Sequence, residues 1–193
     1  MMAATDGFAT WPRRCATIRG VAAEPPVESS VESSVEYSAD PSVESAARRA
    51  VVYTDGACLG NPGPGGWAWV VPGGAWACGA ARATTNQRME LRAVLEALRE
   101  LDGPVEVVSD STYVVNCFRD RWYDGWLRRG WRNSNRKPVA NRDLWEPLIE
   151  LYLDRCGEVS FRWVKGHSGD EWNEIADQLA VGAATDQRSR RGR

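Results

Sequence analysis

A short apolar run that leads into an aspartate constrains this chain more than any other feature. Residues 51–53 are β-branched and aromatic, which predicts a buried strand ending on Asp55 and Gly56. A Gly- and Pro-rich segment then turns the chain into a second strand at 67–71. An Asp beside a Gly at a strand end suits a metal ion or a phosphate, because the backbone can approach closely there. A hairpin whose Asp only caps a turn explains this stretch alone equally well.

The charge of the chain is unevenly distributed along the 193 residues. The formal net charge is -2, but residues 1–48 carry seven Asp or Glu against four Arg. The remaining residues are therefore almost neutral, and any surface that binds nucleic acid must be a local patch. A length of this order favours one domain with a terminal extension.

The cysteines and the hydropathy pattern predict a cytoplasmic protein. The five cysteines are odd in number and form no C-x-x-C pair, which favours reduced thiols over a disulfide framework or a zinc site. No apolar run is long enough to span a bilayer, and the N-terminus lacks the apolar core of a signal peptide, so we expect no membrane partner. The cysteines are Cys15, Cys58, Cys78, Cys117 and Cys156.

The composition of the sequence divides the chain into three segments. Residues 1–48 are rich in Ser, Glu and Pro and repeat the unit Val-Glu-Ser-Ser from Val27, which predicts a disordered leader. A tail that binds a partner is the alternative for this leader. Residues 49–185 form the expected folded domain, and residues 186–193 form a solvated basic C-terminal tail.

The sequence of the folded domain, residues 49–185, alternates between strand and helix patterns. Strands at 51–54, 67–71 and 75–80, joined by short connections, predict an antiparallel meander. An amphipathic helix follows the polar residues 84–86 and ends at 102–104, and a fourth strand at 105–108 leads into Asp110.

The second half of the domain is more helical. Residues 113–153 show a helical pattern broken by Gly and Pro, and a fifth strand is predicted at 159–164. A Gly-flanked loop then carries His167, the only histidine, and the last helix places Asn173 and Asp177 four residues apart.

Four carboxylates stand out by position: Asp55 and Asp110 at strand ends, and Glu90 and Asp177 on helices. If they converge, each raises the pKa of the others unless cations neutralise them. Mg²⁺ prefers oxygen ligands and keeps part of its water shell, so it is the natural cation for such a cluster. Two such ions can activate a water and stabilise the leaving oxygen in phosphodiester cleavage. Spacing alone leaves open that these are surface charges.

The ordered motifs of residues 50–183 resemble those of bacterial type 1 ribonuclease H. The motifs are TDG at 54–56, GNPGPGG at 60–66, TTN at 84–86, RMEL at 88–91, SDS at 109–111, WVKGH at 163–167, and Asn173 with Asp177. The resemblance implies an α/β ribonuclease H-like fold, with a mixed five-stranded sheet in the order 3-2-1-4-5, strand 2 antiparallel, and helices on both faces. It also implies that the first and fourth strands lie together at the centre, where open α/β sheets bind ligands.

The same resemblance implies the activity. The expected function is endonucleolytic hydrolysis of the RNA strand of RNA/DNA hybrids by a two-metal-ion mechanism, leaving 5′-phosphate and 3′-hydroxyl ends. The implied cofactor is Mg²⁺, as two ions with substrate bound and with Mn²⁺ as a substitute, and the protein is expected to be a monomer. The implied metal ligands are Asp55, Glu90, Asp110 and Asp177, and His167 matches a loop histidine that assists proton movement or product release.

The expected substrate-binding residues fall in two groups. Residues 119–142 hold eight Lys or Arg against two Asp, interleaved with tryptophans, and resemble a basic protrusion that grips the DNA strand. A helix pair whose tryptophans fill its own core is the alternative, which we favour for Trp131. A second group matches positions that contact the hybrid backbone and minor groove, where the RNA 2′-hydroxyl is read. The predicted contacts are Asn61, Asn86, Gln87, Trp122, Trp126, Arg128, Arg129 and Asn173.

Several positions depart from the family pattern. Gln87 replaces a common Asn, and Thr112 replaces a common Gln, which puts the substrate contacts of these two positions in doubt. Leu127 and Ala140 replace common basic residues, which predicts weaker or more salt-sensitive binding of the hybrid.

The alternatives to this function are another nuclease or transposase of the same fold, a catalytically silent module that binds RNA/DNA hybrid, and a domain detached from a reverse transcriptase.

Overall fold

The computed structural model describes residues 49–155 and 157–193. The predicted leader, residues 1–48, and the cysteines Cys15 and Cys156 lie outside the described residues. The three cysteines within them, Cys58, Cys78 and Cys117, are free thiols. Within the same residues, no helix combines the length and the apolar character that crossing a membrane requires.

The described residues form six strands and five helices. The strands are β1 (Ala50–Cys58), β2 (Gly63–Val70), β3 (Trp76–Thr84), β4 (Val105–Ser109), β5 (Val159–Trp163) and β6 (Arg190–Gly192). The helices are α1 (Asn86–Glu100), α2 (Thr112–Arg119), α3 (Trp122–Arg128), α4 (Arg142–Asp154) and α5 (Glu171–Asp186).

All six strands belong to one mixed sheet. The order is β5-β4-β1-β2-β3-β6, with β1 parallel to β4 and antiparallel to β2. The predicted α/β class, the order 3-2-1-4-5 and the antiparallel second strand are therefore confirmed. The sheet has one strand more than the predicted five.

The extra strand comes from the segment that we expected to be a solvated tail. Arg190–Gly192 pairs with Trp76–Cys78 of β3, so the expectation is wrong for the backbone. An edge strand leaves N–H and C=O groups unpaired, and a following segment can satisfy them even without apolar residues. The side chains of Arg190 and Arg191 remain exposed and pair with Asp186 and Glu100.

The first hairpin is longer than predicted. We expected the first strand to end at Asp55, but β1 continues to Cys58 because β2 remains paired with it as far as Cys58 and Gly65. The Gly- and Pro-rich segment is correspondingly shorter as a turn, since β2 already begins at Gly63. Only the parallel pairing with β4 stops early, at Tyr53 and Val108. Asp55 thus lies just beyond the point where β1 and β4 separate.

Helices cover both faces of the sheet, as predicted. On one face, Val52 of β1 and Val107 of β4 belong to the main core together with α1, α2 and α4. On the other face, Tyr53 and Val108 pack with Ala176 of α5. Side chains alternate between faces along a strand. Asp55 and Asp110 therefore follow the alternation of Tyr53 and Val108 and lie toward α5.

The broken helical region of residues 113–153 becomes three helices around an aromatic core. Trp145 of α4 is fully buried, with ring centroids 5.3 Å from both Tyr113 and Trp126. Phe118 stacks on Phe161 of β5 at 4.1 Å. These contacts attach the basic segment of residues 119–142 to the rest of the domain.

Candidate active site

Asp55 is the centre of the candidate site and is almost fully enclosed. It is 8% exposed, and its Oδ1 accepts a 2.7 Å hydrogen bond from the N–H of Gly56. Burial raises the pKa of Asp55 from its ordinary value of 3.8 to about 8, with the negative charges of Asp110, Asp177 and Glu90 adding to the effect. The four predicted carboxylates therefore lie close enough together to act on one another.

Gly56 allows the backbone of β1 to contact the backbone of α1, and this contact brings Glu90 close to Asp55. A Cβ on Gly56 would lie 2.1 Å from the Glu90 nitrogen and 2.3 Å from the Met89 carbonyl carbon. No side chain fits there, so the glycine allows the first turn of α1 to pack directly on β1. Glu90 lies toward the sheet and is half-buried.

Two neighbours hold the Glu90 carboxylate. The Ser111 hydroxyl donates to Oε2 at 2.6 Å, and the Asn86 amide donates to Oε1 at 2.9 Å. Burial raises the pKa of Glu90, the Ser111 and Asn86 hydrogen bonds act in the opposite direction, and the charge of Asp110 adds to the rise. Both oxygens of Glu90 are thereby held in fixed directions.

The carboxylates match the chemistry of a hard divalent cation more closely than that of a soft metal. Among residues 49–155 and 157–193, no three His, Cys, Asp or Glu side chains come close enough to enclose an ion by themselves. Mg²⁺ does not require such a cage, because it keeps several waters and completes its shell with substrate phosphate. The raised pKa of Asp55 results first from burial and then from the negative charge of Asp110, and a bound cation would offset both effects. The residues present therefore fit Mg²⁺.

Helix α5 and the loop before it close the site. Asp177 is half-buried on α5, and His167 is exposed in the loop that joins β5 to α5, with a φ of 51° in the left-handed region. Asn173, which we expected to contact substrate, is 3% exposed and donates its Nδ2 to Asp110 Oδ2 at 3.3 Å. Asn173 is thus buried beside Asp110 in this structure, and its contact with substrate stays a prediction.

The predicted minor-groove residues cluster at the start of α1. The Asn61 Oδ1 accepts from the Asn86 N–H at 3.2 Å, so the loop before β2 covers the helix N-terminus. Asn61 and Gln87 are exposed, and Asn86 is half-buried beside Glu90. These three residues lie on the same side of the site as Glu90.

The predicted protrusion presents a concentrated positive charge. In the described part of the chain, five of its cations have no acidic partner within salt-bridge distance, whereas Arg119, Arg121 and Arg142 are paired with Asp120, Asp124 and Glu146. Next to α3, a groove of about 390 Å³ is lined by Arg121, Trp122, Arg128 and Arg129, among others. The five unpaired cations are Arg128, Arg129, Arg132, Arg136 and Lys137.

The two tryptophans assigned to substrate differ in burial. Trp122 is 37% exposed, but Trp126 is only 9% exposed and packs on Trp131 and Trp145. The Trp126 ring packs in the aromatic core and also lines the groove beside α3, so its contact with substrate stays a prediction. Trp131 is buried, as the alternative for that residue predicted.

Comparisons with known proteins agree with this geometry. Residues 47–185 match the model of the RNase H family. The chain belongs to the ribonuclease H family. The ribonuclease H of Syntrophomonas wolfei subsp. wolfei is 50% identical over 142 residues, which cover 70% of this chain and 96% of that relative. The ribonuclease H of Thermus thermophilus is 45% identical over 148 residues, covering 74% and 88%.

A solved structure supports the same conclusion. LC9-RNase H1, described as a type 1 RNase H with the type 2 active-site motif, has a TM-score of 0.62 at 36% identity, covering 72% of this chain and 74% of that one. The predicted similarity to bacterial type 1 ribonuclease H is confirmed. The protein is therefore an enzyme of the ribonuclease H class, an endonuclease that acts on the RNA strand of RNA/DNA hybrids.

Two residues of this ribonuclease H site escaped assignment from sequence. Ser111 holds Glu90, and its position just before a helical pattern, together with its capping hydroxyl, was the available signal. Trp163 is 46% exposed, and its indole N–H donates to the Asp110 backbone oxygen at 3.0 Å. A strand pattern gives no indication of such a contact.

Proposed function

We propose that this ribonuclease H hydrolyses the RNA strand with two divalent cations held by Asp55, Glu90, Asp110 and Asp177. The observation that carries the proposal is the buried Asp55, whose pKa is raised to about 8 by burial and by the charges of the other three carboxylates. Such a cluster is unfavourable unless positive charge joins it. Mg²⁺, or Mn²⁺ in its place, would supply an activated water and a positive charge beside the leaving oxygen.

The residues of the chain have separate tasks in this reaction. Asp55 and Asp110 present carboxylates from adjacent strands, and Ser111 and Asn86 fix the direction of Glu90. Water adds to the phosphorus as the bond to the 3′ oxygen breaks, which leaves a 5′-phosphate and a 3′-hydroxyl. His167, exposed on its loop, takes up or hands on a proton as the product leaves.

Residues other than the four carboxylates bind the two strands of the hybrid. Arg128 and Arg129 attract the DNA strand through its phosphates, and the exposed Trp122 packs against its sugars. Asn61, Asn86 and Gln87 contact the RNA side near Glu90, where the 2′-hydroxyl distinguishes RNA from DNA. Residues 49–185 form the catalytic domain in this proposal, and the cytoplasmic location and the monomeric state stay predictions.

A cleavage panel tests the proposed function. Labelled RNA/DNA, RNA/RNA and DNA/DNA duplexes are incubated with the protein in Mg²⁺, in Mn²⁺ or in EDTA, with Glu90→Gln as the matched control. We expect cleavage of the RNA in the hybrid only, dependent on metal, with products that a 5′-phosphate-dependent exonuclease degrades. Binding of hybrid without cleavage in any metal would instead support the silent binding module.

A further inference from the structure

Asn173 is a buried residue that contacts Asp110. It occupies the first turn of α5, four residues before Asp177, and it is 3% exposed. Its Nδ2 donates to Asp110 Oδ2 at 3.3 Å. Its Oδ1 is buried and has no hydrogen-bond partner among residues 49–155 and 157–193. A buried amide with an unpaired oxygen is costly, so the contact with Asp110 must compensate for part of that cost.

The loop that carries His167 encloses the same carboxylate oxygen. A Cβ on Gly166 would lie 2.4 Å from Asp110 Oδ2 and 3.3 Å from its Cγ. The Gly166 backbone does not have the left-handed φ that would itself exclude a side chain. Contact with Asp110 is therefore what requires glycine here. Any larger residue would force the Asp110 carboxylate to rotate away from the Asn173 amide.

The backbone of Asp110 is held as well. The Trp163 indole donates to its carbonyl oxygen at 3.0 Å, which fixes the peptide plane from the side of β5. With the backbone fixed, the rotation of the side chain is the remaining freedom. Asn173 and Gly166 together limit that rotation from two directions.

We propose that Asn173 is a positioning residue that orients Asp110 for metal binding. The amide holds Oδ2, and Gly166 leaves room for this orientation of the carboxylate, which a Cβ would obstruct. The inference rests on the proposed function, since it takes Asp110 to be a metal ligand. Partners that orient a metal ligand typically change metal affinity or activity by about 10- to 100-fold when removed. Because this bond is a long one, we expect an effect of about tenfold.

Two substitutions test the proposal independently. Asn173→Ala removes the donor, and Gly166→Ala displaces the carboxylate without touching Asn173. Gln178→Ala, at an exposed position of the same helix, and Gly182→Ala, where a Cβ meets nothing within 4 Å, serve as controls. Mg²⁺ affinity is measured by calorimetry without hybrid, and kcat and KM for hybrid are measured across a Mg²⁺ titration.

The expected result is a loss of about tenfold in Mg²⁺ affinity for both Asn173→Ala and Gly166→Ala, with wild-type affinity in both controls. Raised Mg²⁺ should restore kcat, and KM for hybrid at saturating Mg²⁺ should stay unchanged. A raised KM with unchanged Mg²⁺ affinity would overturn the proposal and return Asn173 to substrate contact. A lowered melting temperature with unchanged Mg²⁺ affinity would overturn it in favour of a purely structural role.

An Asp110→Asn variant separates this proposal from the proposed function. If Asp110→Asn abolishes Mg²⁺ binding while Asn173→Ala leaves it intact, only the role of Asn173 is refuted. If the wild-type protein neither binds Mg²⁺ nor requires it for cleavage of the hybrid, and Asp110→Asn changes neither result, the metal site and the role of Asn173 are both refuted.

Discussion

Ser111 donates a 2.6 Å hydrogen bond to Glu90 Oε2 while its hydroxyl oxygen accepts from the Val114 N–H at the start of α2. One side chain therefore caps the helix that follows Asp110 and orients a carboxylate on α1. The stability of α2 and the geometry of the candidate site depend on the same hydroxyl.

Replacement of Ser111 by alanine should affect both the stability of α2 and the activity of the candidate site. Loss of the cap should lower the free energy of unfolding by about 1 kcal/mol. Loss of the donor to Glu90 should lower kcat about tenfold. Ser111→Thr keeps the hydroxyl and is the matched variant that should retain most of both. Urea unfolding and single-turnover cleavage measure the two effects, and a Ser111→Ala enzyme with wild-type kcat would show that Glu90 does not need this partner.

The exposed arginines of the protrusion should contribute affinity and not chemistry. Replacing Arg128 and Arg129 by alanine should raise KM and leave kcat nearly intact, because the groove that they line contains none of the four carboxylates. If each arginine contacts one phosphate, the plot of log binding constant against log salt concentration should become less steep by about 2. Arg92 and Arg99 on α1 provide a control with the same loss of charge. A large fall in kcat at saturating hybrid would contradict the assignment.

Residues 1–48 should be dispensable for folding and chemistry. Every matched motif lies beyond them, and the family match begins at residue 47. A protein that starts at Arg48 should unfold cooperatively and cleave hybrid at a rate near that of the full chain. Thermal melts and steady-state cleavage of both proteins give the comparison. Loss of cooperative unfolding or of most of the activity would show that residues 1–47 contribute to the domain.

The resemblance to ribonuclease H predicted the order of the sheet, and the strand and helix patterns predicted that Asp55 and Asp110 follow strands while Glu90 and Asp177 lie on helices. The burial of Asn173 and Trp126 could not be predicted from sequence. A polar residue four positions from Asp177, or a Trp among arginines, has the same local pattern whether it faces substrate or core. Strand β6 was missed because three residues of Arg and Gly carry no strand signal. These features depend on tertiary packing, which local patterns do not encode.

The stability of the metal-free protein should depend on pH through Asp55. Its pKa is raised from 3.8 to about 8, so the folded state binds the proton more tightly than the unfolded chain. The contribution to stability is present below about pH 4 and is lost as the pH rises to about 8. An amide at this position does not titrate, so Asp55→Asn should be more stable than wild type at high pH.

Urea unfolding in EDTA measures this difference. Each pKa unit corresponds to about 1.4 kcal/mol, so Asp55→Asn should gain at least about 2 kcal/mol over wild type above pH 8 and little at pH 4. Mg²⁺ should reduce the difference, because it stabilises the ionised wild-type site. A gain that is the same at every pH would mean that burial of Asp55 does not raise its pKa.

The most direct test of the metal-centred account is single-turnover cleavage of labelled RNA/DNA hybrid in Mg²⁺ by wild-type and Asp55→Asn proteins that both melt cooperatively. A neutral amide is a poor ligand for a hard cation, so the account predicts a rate at least about a thousandfold lower for the variant, equivalent to about 4 kcal/mol. A folded Asp55→Asn enzyme that cuts the hybrid within about tenfold of the wild-type rate would contradict it.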